Sequence, residues 1–402
     1  MSITPEHDAG ASGGNGDGAG AWTALRGYAG RASLRNYSLI AVLIITWLVF
    51  AWLTNGIFLT QRNLTLMALQ SAITGFAAIS AVMLIVTRNF DISVGSAVAL
   101  VGVVVAWLTV RLDIDPLLAV PVAMAVGVAL GAWNGWWVTR IGVPSFIVTL
   151  AGMLYFRGIS MIATNGATVS PVPPSLKELA LGFLPALPSI LLIVGIVAAY
   201  VIFIVSTARR ARVLGLVSSI RPQVIRALIP AGIGAVLAIY VSSPQGLPYL
   251  ILLLALCALA AEIVMRRTRF GAKLYAIGGN PEAARLAGVN VKQVIFRVWV
   301  IAGVFYGITG IALTARVSGS VAGSAGLFLE LDAIAAAIIG GTSFAGGRGT
   351  IFGALLGAVL MGSLNNGMSL LNMPTFYQDA ARGVVLLVAV AIDVVSRRRS
   401  AA

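Results

Sequence analysis

Few residues in this 402-residue chain have side chains able to act chemically on another molecule. The only histidine, His7, sits in the amino-terminal tail, and the only cysteine, Cys257, lies within an apolar run. A cysteine so placed packs as a small hydrophobe, and it has no partner for an internal disulfide. Histidine catalysis, pH sensing by histidine and metal binding are therefore excluded from the apolar part of the chain. What remains is a thin set of acids, arginines and amides. Glu330 and Asp332 open one apolar segment and Arg157 lies within another. Asp379 and Arg382 stand three residues apart on one helical face, where they can pair. Asn365 and Asn366 each offer both donors and acceptors. Such groups in apolar segments suit either hydrogen bonding along a solute path or a proton relay, against a plain structural role. Glu262 with Arg266, and Asp393 with Arg397, are four apart and read as structural pairs. No nucleophile is paired with a base.

The segments that must position these groups are membrane helices. Hydrophobic residues make up 59% of the chain and charged ones 10%, a composition foreign to soluble domains. The fold class is all-α and polytopic, with about 12 spans (10–12). They run near Tyr37–Thr54, Asn63–Thr87, Ile92–Val110, Leu117–Thr139, Pro144–Ala163, Pro188–Ser206, Ala227–Ser242, Pro248–Met265, Val294–Thr314, Leu331–Phe344, Ile351–Leu371 and Phe376–Val395. The short tenth, ending in glycine, is read as broken or tilted. Residues 1–36 form a tail, Gly- and Ala-rich at first and then basic and aromatic, without a signal peptide's pattern. Residues 37–396 are the transmembrane domain, 267–293 a polar loop within it, and 397–402 a basic tail.

The net charge is +14, with 27 Lys and Arg. With the amino terminus inside, only Arg62, Arg111, Arg157, Lys177, Arg316 and Arg382 fall outside or in outer halves. The other 21 of the 27 fall inside, as the positive-inside rule requires for an even number of spans with both termini cytoplasmic. The basic excess thus reads as orientation and contact with anionic lipid at Ala208–Arg226, not as a nucleic-acid site. Trp133, Trp136 and Trp137 cluster at one span end, as interfacial anchors do.

A polar island, Phe270–Val291, interrupts the apolar pattern. Asn280 can cap a helix there, Pro281 suits its first position, Glu282 favours its positive end and Gly288 stops it. The result is a two-turn helix, Pro281–Ala287, too short to stand alone in water. Ala283 and Ala287 leave one face nearly bare, ready for another protein's groove.

The string YAIGGNPEAARLAGV resembles the EAA-and-glycine signature of ABC-importer permeases, and within them the ribose- and xylose-type sugar permeases. The likeness extends from about Ile40 to Val395. It implies that Gly279, Asn280, Pro281, Glu282, Ala283, Ala284, Ala287 and Gly288 form a cytoplasmic coupling helix gripped by an ATPase subunit. Phe90–Ser96 resembles the family's DLSVGS segment, though Arg88-Asn89 stands where many relatives have two glycines. Ile338–Gly349 resembles its GGTS glycine segment and lacks the GK[ST] ending of a phosphate loop. Asp91, Ser93, Gly95, Asn134, Gly340, Gly341, Thr342, Asn365 and Asn366 are the gate and pathway candidates. Against that, Asp91 can simply cap a tightly packed helix, and the second segment can be a plain turn.

Gly131–Asn134 with Pro144–Phe146 recurs as Gly362–Asn365 with Pro374–Phe376, 231 and 230 residues on. Seven spans separate the copies, so the repeat is inverted, as alternating access favours. The resemblance implies a homodimeric permease, two ATPase subunits that hold ATP and Mg, and a separate sugar-binding protein. It also implies the bacterial inner membrane, with xylose the first choice among monosaccharides. The chain itself would bind no cofactor or metal and catalyse nothing. A proton-coupled secondary transporter is the alternative, and a membrane enzyme lacks any motif.

Overall fold

The computed structural model describes residues 39–213, 232, 238 and 246–401. Among them fourteen α-helices follow one another. They are α1 (Leu39–Leu53), α2 (Gln61–Val86), α3 (Val94–Val110), α4 (Pro116–Trp136), α5 (Ser145–Thr164), α6 (Pro174–Leu181) and α7 (Ala186–Val213). Then come α8 (Tyr249–Arg267), α9 (Arg269–Gly279), α10 (Pro281–Leu286), α11 (Val291–Val317), α12 (Leu329–Ile339), α13 (Ile351–Leu370) and α14 (Thr375–Ala401). Seven helical segments are long and apolar enough to cross a membrane, and two shorter apolar helices, α1 and α3, accompany them. The protein is a polytopic helical membrane protein. The expected seventh span, Ala227–Ser242, and the tail 1–36 lie outside the described residues, apart from positions 232 and 238.

Burial separates centre from rim. In α2, 94% of the apolar window is buried, against 22% in α4. A helix apolar all round with its surface covered is a central one, whereas an exposed apolar face suits lipid. Small residues let the central helices touch. Gly127 and Gly131 of α4 lie against Gly303 and Gly307 of α11, leaving no room for a Cβ. Gly357 of α13 meets Ala336 of α12 in the same way, and Gly362 meets Ser71 of α2. Residue numbers fall along α4 as they rise along the facing α11, so the two are antiparallel.

The 231-residue offset extends beyond the short motif. Applied to α2, α3, α4 and α5 it gives 292–317, 325–341, 347–367 and 376–395. These ranges overlie α11, α12, α13 and α14. Gln70 and Thr74 in the first half of α2 share a cleft with Leu313 and Arg316 at the end of α11, while Val86 at the end of α2 lies against Gly278, shortly before α11 begins, so these two central helices run in opposite senses. 

Three features depart from the sequence reading. The polar island holds two helices, because Thr268 caps α9 by accepting from Gly271 N ahead of the expected α10. Leu274 and Ile277, three apart, hold α9 on the core. Span three starts at Val94, not Ile92, because Asp91 folds its carboxylate back onto Ser93. The 164–187 connection carries α6 and two small ladders: Thr168–Val169 (β1) with Ser320–Val321 (β4), and Phe183–Leu184 (β2) with Leu247–Pro248 (β3).

Candidate functional site

At one end of the bundle α10 stands on α9 and α11. Asn280 Oδ1 accepts from the N–H groups of Glu282 (3.1 Å) and Ala283 (3.0 Å). Pro281 is the first helical residue, Ala287 the C-cap, and Gly288 takes φ +80. Ala284 is buried against the protein, while Ala283 and Ala287 are exposed and Leu286 is 77% exposed. Glu282 and Arg285 pair at 2.6 Å across the surface. The outward face thus presents two alanines, a leucine and one ion pair. Leu286 went unrecognised in the sequence, where one leucine in an alanine-rich helix reads as a core residue.

Beneath α10 three chain segments are locked together. Gly347 N donates to Val86 O at the end of α2 (2.9 Å). Arg88, at φ +62, donates from Nε to Gly278 O and from Nη2 to Gly279 O, both at 2.7 Å. Tyr275 Oη donates to Gly349 O at 2.9 Å, and burial raises the phenol's pKa, keeping it a neutral donor. Gly278 has no room for a side chain between Val86 and Gly347. Gly340 is equally tight against Gly353, Gly341 takes φ +103, and Thr342 is fully buried. The glycine segment is therefore a tight, interlocked turn.

Deeper in the bundle lies the break between α2 and α3. Asp91 Oδ1 accepts from Ser93 N (2.8 Å) and Ser93 Oγ (2.6 Å), and Tyr306 Oη of α11 donates to Asp91 Oδ2. Asn134 Nδ2 of α4 donates to Ser93 Oγ at 2.9 Å. All four residues are buried. Tyr306 was not singled out from sequence, although a tyrosine hydroxyl within an apolar helix needs a partner.

The break between α11 and α12 meets this one. A Cβ at Gly95 would collide with the Gly326 carbonyl oxygen and with Glu330 Oε2. Glu330 and Asp332 are only 8% and 7% exposed. The connection after α11 folds inward against α3, and α12 starts buried within the bundle. Arg157 donates to the carbonyls of Ala322 (3.1 Å) and Ala325 (2.7 Å), bracing that inward connection, and attracts Glu330.

Beside α12 opens a polar cleft of about 280 Å³, lined by Gln70, Arg316, Asp332, Asn365, Gln378 and Arg382 among others. Arg382 pairs with Asp379 at 3.0 Å, lies 3.7 Å from Asp332 and donates to Asn365 Oδ1 at 3.0 Å. Asn365 donates to Asp332 at 3.1 Å. Asn366 does not join them. Its amide exchanges two hydrogen bonds with buried Asn63, at 2.9 and 3.0 Å. Gln70 and Arg316 reach the cleft from α2 and α11 without any motif to mark them.

The structural pair Glu262–Arg266 forms at 2.5 Å, whereas Asp393 accepts from Phe344 N and the side chain of Arg397 lies outside the described ones. Trp133 and Trp136 are exposed, each edge-on to Trp137. Beside them Arg140, Lys292 and Arg297 line a second cleft of about 860 Å³. Among the described residues no cluster of three or more His, Cys, Asp or Glu is placed to hold a metal.

Comparison with known proteins bears on this arrangement. Residues 63–390 match the family described as branched-chain amino acid transport system / permease component. The xylose transport system permease protein of Escherichia coli (strain K12) is 42% identical over 377 residues, covering 93% of this chain and 96% of that protein. The corresponding protein of Haemophilus influenzae is 38% identical, covering 91% and 98%. The ribose import permease protein of E. coli (strain K12) is 35% identical, covering 90% and 94%. No solved structure matches.

Proposed function

The chain belongs to the branched-chain amino acid transport system / permease component family, and from that membership we propose that it carries a monosaccharide, xylose, as the permease subunit of an ABC importer. Identity of 42% with a xylose permease along nearly the whole of both chains supports the sugar. The observation that carries the coupling role is α10: a capped two-turn helix that shows Ala283, Leu286 and Ala287 to solvent while only Ala284 is buried. A helix this short is held in place by its caps and by α9, and an apolar face left open on it has its use in docking.

In this reading two copies of the chain enclose the path, and each α10 seats in one ATPase subunit, which holds ATP and Mg. The protein lies in the bacterial inner membrane with both termini inside. Twelve spans and an inverted repeat satisfy that arrangement, and the opposed senses of α2 and α11 support it. The 164–187 connection holds one eight-residue helix and two short strands, too little to make a sugar-binding domain, so a separate binding protein delivers the sugar. The basic cleft at Arg140, Lys292 and Arg297, next to the tryptophans, suits the headgroups of anionic lipid. Glu330 faces Arg157, and Asp332 and Asp379 face Arg382, as paired structural acids do.

The test is uptake of labelled xylose into proteoliposomes holding this chain, its ATPase and the binding protein. Uptake should require ATP and persist when the proton gradient is collapsed. Uptake by the chain alone, driven by a proton gradient, would falsify the assignment. Glu282→Lys and Gly288→Leu should each abolish uptake while the protein still reaches the membrane.

A further inference from the structure

Movement of α10 needs a route into the bundle, and α10 itself touches mainly α9 and α11. The route through α11 is continuous chain. The route through α9 also leaves the chain, because α9 ends at Gly279 against two other segments, the end of α2 and the Gly346–Gly347 turn. One side chain joins all three. The Arg88 guanidinium is bonded to the Gly278 and Gly279 carbonyls, the last two before the Asn280 cap, at 2.7 Å each. Its stem lies over Gly346, where a Cβ would come within 2.5 Å of Arg88 Cγ. Its backbone follows directly on α2 and takes φ +62, a conformation that costs free energy in any residue with a side chain. A cation over the open carbonyls of a helix end is bound by charge as well as by hydrogen bonds, and a planar fork fixes both direction and distance.

Three residues beyond Arg88 stands Asp91, whose carboxylate is held by Ser93 and Tyr306 and so ties the α2–α3 break to α11. A shift of α10 that carries Gly278 and Gly279 must therefore either break the Arg88 fork or drag the segment Arg88–Ser93 with it. We propose that Arg88 is the positioning residue that transmits the displacement of α10 to the break between α2 and α3, so that ATP hydrolysis and opening of the path stay in step. This rests on the importer reading above, and deepens it by naming the link.

The measurement is xylose uptake and ATP hydrolysis in the same proteoliposomes, with chain, ATPase and binding protein present. The wild-type complex first shows ATP-dependent uptake, and failure there would sink the importer reading rather than this one. Arg88→Met keeps the stem over Gly346 and removes both bonds to the helix end. It should raise the ATP hydrolysed per xylose imported at least fivefold. Arg88→Lys, which retains the charge and can still reach a carbonyl, should give an intermediate ratio. If the ratio in Arg88→Met stays within twofold of wild type, the proposal is overturned, whether both rates persist or both fall together with assembled complex. Should Arg88→Met fail to assemble, Arg88→Lys decides by the same ratio, and an unaltered value there overturns it too.

Discussion

In the first copy of the repeat the break before α3 is sealed, whereas in the second the break before α12 borders an open cleft. The offset that relates the copies sets Ser93 against Ser324, Gly95 against Gly326 and Asn134 against Asn365. The backbone plan is thus shared down to the two glycines that touch where the breaks meet. The side chains around it are not shared. Asp332 of the second copy corresponds to Val101 of the first, and Asp379 and Arg382, past the second motif with its offset of 230, to Thr149 and Gly152. Tyr306, which closes the first break by bonding Asp91, corresponds to Gly75 in α2. One copy has been filled and hydrogen-bonded shut, and the other has been given charge and left open. Access on one side and closure on the other can therefore be a property of side chains laid on a common frame.

The glycine contact is where both copies should fail together. Gly95→Val would drive its side chain into the Gly326 carbonyl and Glu330, and backbone cannot move aside as a flexible side chain can. A loss of about 3 kcal/mol or more is expected, read as loss of folded protein in detergent. Gly326→Val should do the same, since it adds a positive φ of +65 to the collision. If either variant folds normally, the two breaks do not meet and the comparison has no common frame.

Away from that contact the copies should diverge. Tyr306→Phe leaves Asp91 buried with Ser93 and the Val94 N–H as its remaining partners, and should cost about 2 kcal/mol in thermal unfolding. Uptake per folded molecule should fall far less. Arg382→Gln should show the reverse pattern. Its partners Asp332, Asp379 and Asn365 line or adjoin an open polar cleft, where solvent can replace part of what is lost. Uptake should drop about tenfold with a smaller shift in unfolding than Tyr306→Phe gives. Equal effects of the two variants on uptake per folded molecule would erase the distinction.

Much of this frame was legible in the residues. Eleven of the twelve expected spans coincide with helices, because long apolar runs bounded by Gly, Pro and charge leave little choice of register. The ends of α10 were legible as well, since Asn280, Pro281 and Gly288 act locally on their own backbone. Non-local consequences were hidden. The deep position of Glu330 depends on the chain after α11 folding inward against Gly95, and nothing in 318–328 announces a partner in α3. Asn365 and Asn366 are the same residue type one position apart, yet their directions differ by the turn of a helix. Only the packing of α13 against α2 and α14 shows which amide faces the cleft. Arg88 drew notice as a departure from a glycine pair, but its bond to a helix end 190 residues away did not follow from that.

Those two asparagines give the finest division of the comparison. Asn366→Ala would remove one buried amide of a reciprocal pair, although Asn63 would keep the Phe58 carbonyl at 2.8 Å as a second acceptor. The expected cost is about 1 kcal/mol in thermal unfolding, with the apparent KM for xylose uptake unchanged. Asn365→Ala would remove a bridge between Asp332 and Arg382, but these two still face each other at 3.7 Å beside an open polar cleft. Its unfolding should shift by less than that of Asn366→Ala, while apparent KM rises about threefold, the loss of one modest hydrogen bond. The opposite result, a KM effect from Asn366 and none from Asn365, would place the sugar on the far side of α13. It would also leave the charged cleft of the second copy as structure alone.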